Sequence, residues 1–210
     1  MEWKQRLVEF VILGCAVLNV GCNDTVTGTI PRSPTYHHTL DHVLADSSTL
    51  SQLYLSNIGD SLDPRIGAFR KLITLDIRNS DIEYLPDEFA KLRKLYILTL
   101  ENNKFKSIPK QIFELSTLSF LSMPGNDIDS IAFGLQRLRQ LESLDLQENN
   151  LRQVTMEHIY PSKMHTLDFS GNKLLDFPAD SNDFPALQYL YLDANPIPDS
   201  TRSAIRRRLP

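Results

Sequence analysis

The sequence predicts an α/β solenoid, short parallel strands stacked coil upon coil, and three observations carry that expectation. The stretch LYILTLENNKFKSIPKQIFELST, residues 95–117, puts apolar residues at Leu95, Leu98, Leu100, Phe105, Ile108, Ile112 and Leu115. Steps of 23 residues then land on Leu72, Leu118, Leu141, Met164 and Leu187, and a step of 22 back from Leu72 reaches Leu50. Lastly, one position after each strand reads Ile58, Ser80, Asn103, Asn126, Asn149, Asn172 and Asn195, so five of seven are asparagine. A period of about 20 to 29 residues built this way marks units that bury their apolar faces only by stacking.

At 210 residues the chain has room for one or two compact domains, but a solenoid needs no single globular core, and one domain is expected. A net charge of −4, from 22 Lys plus Arg against 26 Asp plus Glu, does not favour nucleic acid as a partner. Both cysteines, Cys15 and Cys22, precede the repeats, which therefore hold together without disulfides or thiolate metal sites.

Residues 1–22 have Lys4 and Arg6 before an apolar run, Phe10 to Val20, too short for a span of about 20 residues and of signal-peptide length. The run ends in Leu18-Asn-Val-Gly-Cys22, followed by Asn23 and Asp24. This resembles the processing site of bacterial lipoproteins, and the resemblance implies lipidation of Cys22. Asn19 and Glu9 depart from the family pattern, and Ile12-Leu-Gly-Cys15 offers a second site. A cleaved ordinary signal and an uncleaved anchor are the alternatives.

Residues 23–39 hold five Thr, two Pro, one Ser and one Gly, a composition expected to form a flexible tether. From Leu40, the helical spacing of Leu40, Val43 and Leu44 predicts a capping helix over 40–49 that covers the edge of the first repeat. His37, His38 and His42 cluster here without a third firmly placed ligand, so no metal site is assigned.

Seven repeats fill 50–198. Leucines such as Leu72, Leu75 and Ile77 face inward, and the residues between them face out on a parallel sheet. The asparagines are expected to form a ladder, because a sharp turn after each strand leaves backbone groups that only an inward amide satisfies. Ser80 does part of this and Ile58 none. Pro86, Pro109 and Pro178 fix extended corners before short helical turns.

Leu85-Pro-Asp-Glu-Phe89 and Ile108-Pro-Lys-Gln-Ile112, together with the strand pattern, resemble the 23-residue form of the leucine-rich repeat family from Leu50 to Pro210. The resemblance implies a horseshoe with a parallel concave sheet and short helical or 3-10 turns on the convex side. It departs at Gly59 to Ser61 and over Thr155 to Lys163, where His158 and Pro161 occupy usually apolar positions. Residues 199–210 carry Ala204, Ile205 and Leu209 on one side and arginines on the other, and are expected to form a C-terminal capping helix.

Recognition lives in sites, not folds, so the outward strand columns are where it is sought. They read Gln52, Thr74, Ile97, Phe120, Ser143, Thr166, Tyr189 and Tyr54, Asp76, Thr99, Ser122, Asp145, Asp168, Tyr191, with Arg78, Glu101, Gln147, Glu148 and Asp193 beyond. Aromatics at both ends, an apolar spot at Ile97 and Phe120 and an acidic stretch at Asp145, Asp168 and Asp193 point to a protein or peptide ligand with some basic residues. The candidate contacts are Tyr54, Asp76, Arg78, Ile97, Glu101, Phe120, Asp145, Asp168, Tyr189 and Tyr191. The alternative is an unused, wetted sheet surface.

Asp145 and Asp168, about 5 Å apart on adjacent strands, superficially resemble a glycosidase pair, but nucleophile, base and stabiliser do not converge anywhere. The expectation is a non-enzymatic, cofactor-free monomer, lipid-anchored through Cys22 in a bacterial cell envelope and acting in recognition or adhesion. An intracellular, cytoplasmic scaffold in signalling and a calcium-assisted module stay open.

Overall fold

A computed structural model describes residues 35–131, 134–154, 163–177 and 186–208, the side chains of 206–208 excepted. They belong to one compact unit, Thr35–Pro210. The expected export signal, Cys22, most of the tether, residues 155–162, Pro178 and Leu209 lie outside the described residues.

Alternating leucines set the strands. Among the described residues there is one seven-stranded parallel sheet in sequence order: β1 (Gln52–Ser56), β2 (Thr74–Arg78), β3 (Ile97–Thr99), β4 (Phe120–Ser122), β5 (Ser143–Asp145), β6 (Thr166–Asp168) and β7 (Tyr189–Tyr191). Leu53, Leu75, Leu98, Leu121, Leu144, Leu167 and Leu190 are register partners throughout, one unbroken inward row. This is the stacked solenoid the period predicts.

The crossovers return through 3-10 turns at Pro64–Ala68, Asp87–Lys91, Lys110–Glu114 and Leu135–Arg137. Pro86 (φ −65°, ψ 154°) and Pro109 (φ −60°, ψ 138°) hold the extended corners that launch two of them. Phe89, Ile112 and Leu135 drop from these turns into the core, fully buried against the strand leucines. At roughly 1.5–3 kcal/mol per buried large side chain, this continuous core offsets the ordering of each coil without disulfides.

The amide ladder binds coil to coil. Asn149 Nδ2 donates to Met123 O (3.0 Å), Leu146 O (3.1 Å) and Gln147 O (3.1 Å), while its Oδ1 accepts the Ile128 N–H (2.9 Å). Asn126, Asn172 and Asn195 repeat the set one coil away each time. Ser80 Oγ accepts the Ile58 N–H at 3.2 Å and so takes over half the task at the first turn.

Just ahead of the ladder, every coil passes through a left-handed residue: Asn57 (φ 52°), Asn79 (51°), Asn102 (52°), Gly125 (65°), Glu148 (54°), Gly171 (67°) and Ala194 (53°). The reversal that brings the amide inward requires it. Apolar periodicity is blind to this position, whose signal is only a bias toward Asn and Gly.

The amino-terminal end differs from expectation, whereas the carboxy-terminal end carries the expected capping helix. Residues 40–49 form turns and a single 3-10 turn, Leu44–Asp46, in place of a helix, yet still bury Leu40 and Val43. So short a segment gains little from helix propagation, and turns bury the same residues. Residues 35–39 are part of the fold and not of the tether: the His37 N–H donates to Tyr54 O (2.9 Å) and His37 O accepts the Ser56 N–H (3.0 Å), pairing in parallel with β1 and covering its edge. At the other end, helix α1 (Asp199–Arg208) packs Ile205 on the core. Its Arg202 guanidinium donates to Asn195 O (2.8 Å) and Ile197 O (3.1 Å), carbonyls of the final coil.

Candidate functional site

Register places the two outward columns as the sequence reads them: Gln52, Thr74, Ile97, Phe120, Ser143, Thr166 and Tyr189 face one another strand by strand, as do Tyr54, Asp76, Thr99, Ser122, Asp145, Asp168 and Tyr191. Their accessibility is another matter.

Most of the acidic stretch expected to steer basic partners is not on the surface: of its three members only Asp193 is exposed. Asp76, Asp145 and Asp168 are 6%, 4% and 2% exposed. Asp145 accepts the Gln147 N–H (3.0 Å) and the Ser122 hydroxyl (3.0 Å), and Asp168 accepts the Ser170 N–H (2.9 Å) and the Ser170 hydroxyl. Strands about 4.8 Å apart let neighbouring side chains cover a short Asp, and the turn two residues on supplies an N–H for it. These carboxylates serve the turns; a cation or a basic ligand would have to displace those bonds. Among the described residues no three His, Cys, Asp or Glu gather as a metal site. Ile97, at 9% exposed, also recedes and leaves Phe120 as the apolar spot.

Asp76 belongs to a compact ionic cluster. Arg78 Nε donates to it at 2.8 Å, with a second guanidinium nitrogen also bonded, and Arg78 Nη1 lies 3.5 Å from Glu101. Tyr36, which composition assigns to the tether, donates its hydroxyl to Asp76 (3.2 Å), and the Arg78 guanidinium lies 5.3 Å from its ring centroid. Burial first, and then the Asp76 charge, push the Tyr36 phenol up to about 12. The sequence signal for Tyr36 was weak: an aromatic in a Thr- and Pro-rich stretch.

The accessible remainder consists mainly of aromatic pairs, with Gln52 exposed beside Tyr54. Tyr36 meets Tyr54 edge-on (centroids 5.8 Å), Tyr96 meets Phe120 edge-on (5.5 Å), and Tyr189 lies parallel to Tyr191 (6.5 Å, 6° between planes). Tyr189 is 53% exposed; Tyr36, Tyr54, Tyr96, Phe120 and Tyr191 are half-buried. Between the pairs lie Thr99, Ser122 and Thr166, also half-buried. Thr74 Oγ1 and Ser119 Oγ are buried without a hydrogen-bond partner.

Away from this face, an open depression of about 790 Å³ is bordered by Lys106, Asp127, Asn150, Arg152 and Lys173. Its polar side chains pair along the coils, Lys173 Nζ with Asn150 Oδ1 at 2.7 Å, as a solvated flank does. Among the described residues no helix is long and apolar enough to cross a membrane.

The model of a leucine-rich repeat region matches residues 33–195. Among solved structures, an internalin from Listeria monocytogenes is similar with a TM-score of 0.59 and 19% identity over 80% of this chain and 49% of its own. A leucine-rich repeat protein from Leptospira interrogans is similar with a TM-score of 0.52 and 18% identity over 78% of this chain and 59% of its own. The chain thus spans about half to three-fifths of those proteins. No curated protein matches it.

Proposed function

Because the chain belongs to the leucine-rich repeat family, whose fold supports protein-binding modules, we propose that it is a non-enzymatic module that captures a protein or peptide on the strand face. One observation carries this reading: three aromatic pairs stand partly exposed on a sheet whose backbone and amide ladder hold them rigidly. Aromatics locked in place supply contact area at little cost in side-chain entropy. With Asp145 and Asp168 buried, only the exposed Asp193 of the acidic stretch still supports a basic ligand. Replacing Phe120 and Tyr191 together by Ala should abolish recovery of the partner in a pull-down with the full chain, with the thermal midpoint nearly unchanged. Undiminished recovery would reject this face.

The same reading places the monomer in a bacterial cell envelope in recognition or adhesion, held by a lipid at Cys22. It is supported by Lys4 and Arg6, the apolar run from Phe10 and Gly21 directly before Cys22. Glu9 and Asn19 favour the second reading, an intracellular scaffold. Labelled palmitate incorporated by the chain and lost in Cys22→Ser selects the first; no incorporation rejects the lipid anchor.

A further inference from the structure

Resting on the strand-face reading, we propose that the protein partner sets an acidic segment on the rim of the sheet ahead of β2 and β3, where Arg70, Lys71, Arg93 and Lys94 cluster. The sequence brings these cations to the same turn of consecutive coils: the Arg70 N–H donates to Ala68 O and the Arg93 N–H to Lys91 O, both at 2.9 Å. A step of 23 residues therefore stacks Arg93 on Arg70 and Lys94 on Lys71, on backbones about 4.8 Å apart. All four residues are exposed. Ahead of β4 the same positions hold Ser116 and Thr117, and the positive sign resumes at Arg139 and Lys163.

Other faces of the molecule stack charge differently. Four ion pairs between coils set opposite signs at the same 23-residue step: Arg78 with Glu101 (3.5 Å), Lys106 with Glu83 (3.8 Å), Lys110 with Asp87 (3.8 Å) and Arg137 with Glu114 (2.7 Å). On the rim like charges face each other and repel, and among the described residues none of the four cations is ion-paired. An edge that only had to stay wet would be served equally by alternating signs, without that repulsion.

The surrounding charges select the occupant. Asp46, Glu88 and Glu142 border the rim in sequence without pairing with it, and Glu101 is turned to Arg78. Glu148 and Asp193, both exposed, lie past the opposite ends of β5 and β7, two and four strands from β3. That exceeds a Debye length of about 8 Å, so the rim keeps its positive sign and Asp193 is left to any basic residue of the partner. A nucleic-acid duplex or an anionic membrane broad enough to cover rim and strand face together meets Glu101, Glu148 and Asp193 as well, and is repelled. A short segment with a few carboxylates touches the rim alone, where each guanidinium can donate two N–H groups to one carboxylate. Lys94 stands two residues ahead of Tyr96, so an apolar residue beside that segment reaches the Tyr96 and Phe120 pair.

The test is fluorescence anisotropy of a labelled peptide, one tryptophan followed by four glutamates, titrated with the full chain. Binding should be saturable and weakened by salt, and should fall about tenfold in the double variant Arg93→Gln, Lys94→Gln and also in Phe120→Ala. Lys104→Gln, at an exposed cation on the opposite flank, should leave it unchanged. Lys94→Glu should abolish binding while the thermal midpoint holds or rises, because attraction to Lys71 replaces repulsion; loss of binding is then not loss of fold. No saturable binding, indifference to the double variant, or a lower midpoint in Lys94→Glu overturns the inference. So does capture of phosphatidylglycerol vesicles or duplex DNA through Arg93 and Lys94 when the peptide is not bound. Binding lost in Phe120→Ala but kept in Lys94→Glu removes the rim and leaves the strand-face reading standing. Binding that depends on Lys94 and is indifferent to both Phe120→Ala and Tyr191→Ala removes the strand-face reading, and with it the partner inferred from it.

Discussion

Glu148 and Ala194 occupy a backbone conformation that their neighbours in the column meet with Asn or Gly. Each sits at a φ near 50°, where a Cβ crowds the following carbonyl at a cost of about 1–2 kcal/mol, while glycine suffers only its greater loss of chain entropy, about 0.5–1 kcal/mol. Glu148→Gly should therefore raise stability by about 0.5–1 kcal/mol, read as a higher thermal midpoint. Gly125→Ala should lower it, because a Cβ there meets the Asn102 side-chain oxygen, whose amide already donates to Asn79 Oδ1 at 2.9 Å. A midpoint that falls in Glu148→Gly contradicts the strain. The same scale shows why the candidate site was only half legible in sequence: Asp145 and Tyr191 share an outward column, but one is 4% exposed and bonded to its own turn and the other is half-buried beside Tyr189. Column membership follows from spacing, and exposure does not.

At the scale of the element, the amide ladder decides how firmly coils join. Asn149 closes four hydrogen bonds, reaching Met123 and Ile128 in the preceding coil as well as its own turn. Asn149→Ala leaves a buried N–H and buried carbonyls unpaired and should cost about 3 kcal/mol, measured by denaturant unfolding. A loss under about 1 kcal/mol would mean that water takes over these groups. The Asn ladder was readable because the residue type recurs at a fixed interval, whereas the supports at the two ends were not. Arg202 acts at a position with no counterpart in any repeat, and His37 pairs with β1 from a stretch whose composition reads as tether.

For the whole molecule, contacts between nearest neighbours imply fraying from the ends. Tyr36 is the seal of the amino-terminal end, and its phenol is favoured neutral in the fold, pushed up to about 12 by burial and by Asp76. Its contribution is complete below the ordinary tyrosine value of about 10 and is lost as the pH rises through about 12. Thermal midpoints should fall over that alkaline window, and Tyr36→Phe should remove part of the fall while deleting one late group from the ultraviolet phenolate titration. Loss of a group that titrates near the ordinary value of about 10 would show instead that Tyr36 ionises as a free phenol.

The sequence alone determined the architecture, since a leucine and asparagine pattern at 23-residue spacing admits few packings other than parallel coils, each with one inward row. It also determined which residues share a column, because strand alternation is a matter of counting. Only the tertiary structure decided which members of a column reach the surface. Burial of Asp76, Asp145 and Asp168, and the joining of six aromatics into three pairs, depend on what adjacent coils place beside each side chain. Those neighbours lie about one repeat away in sequence, and the direction and reach of their side chains are not encoded in the period.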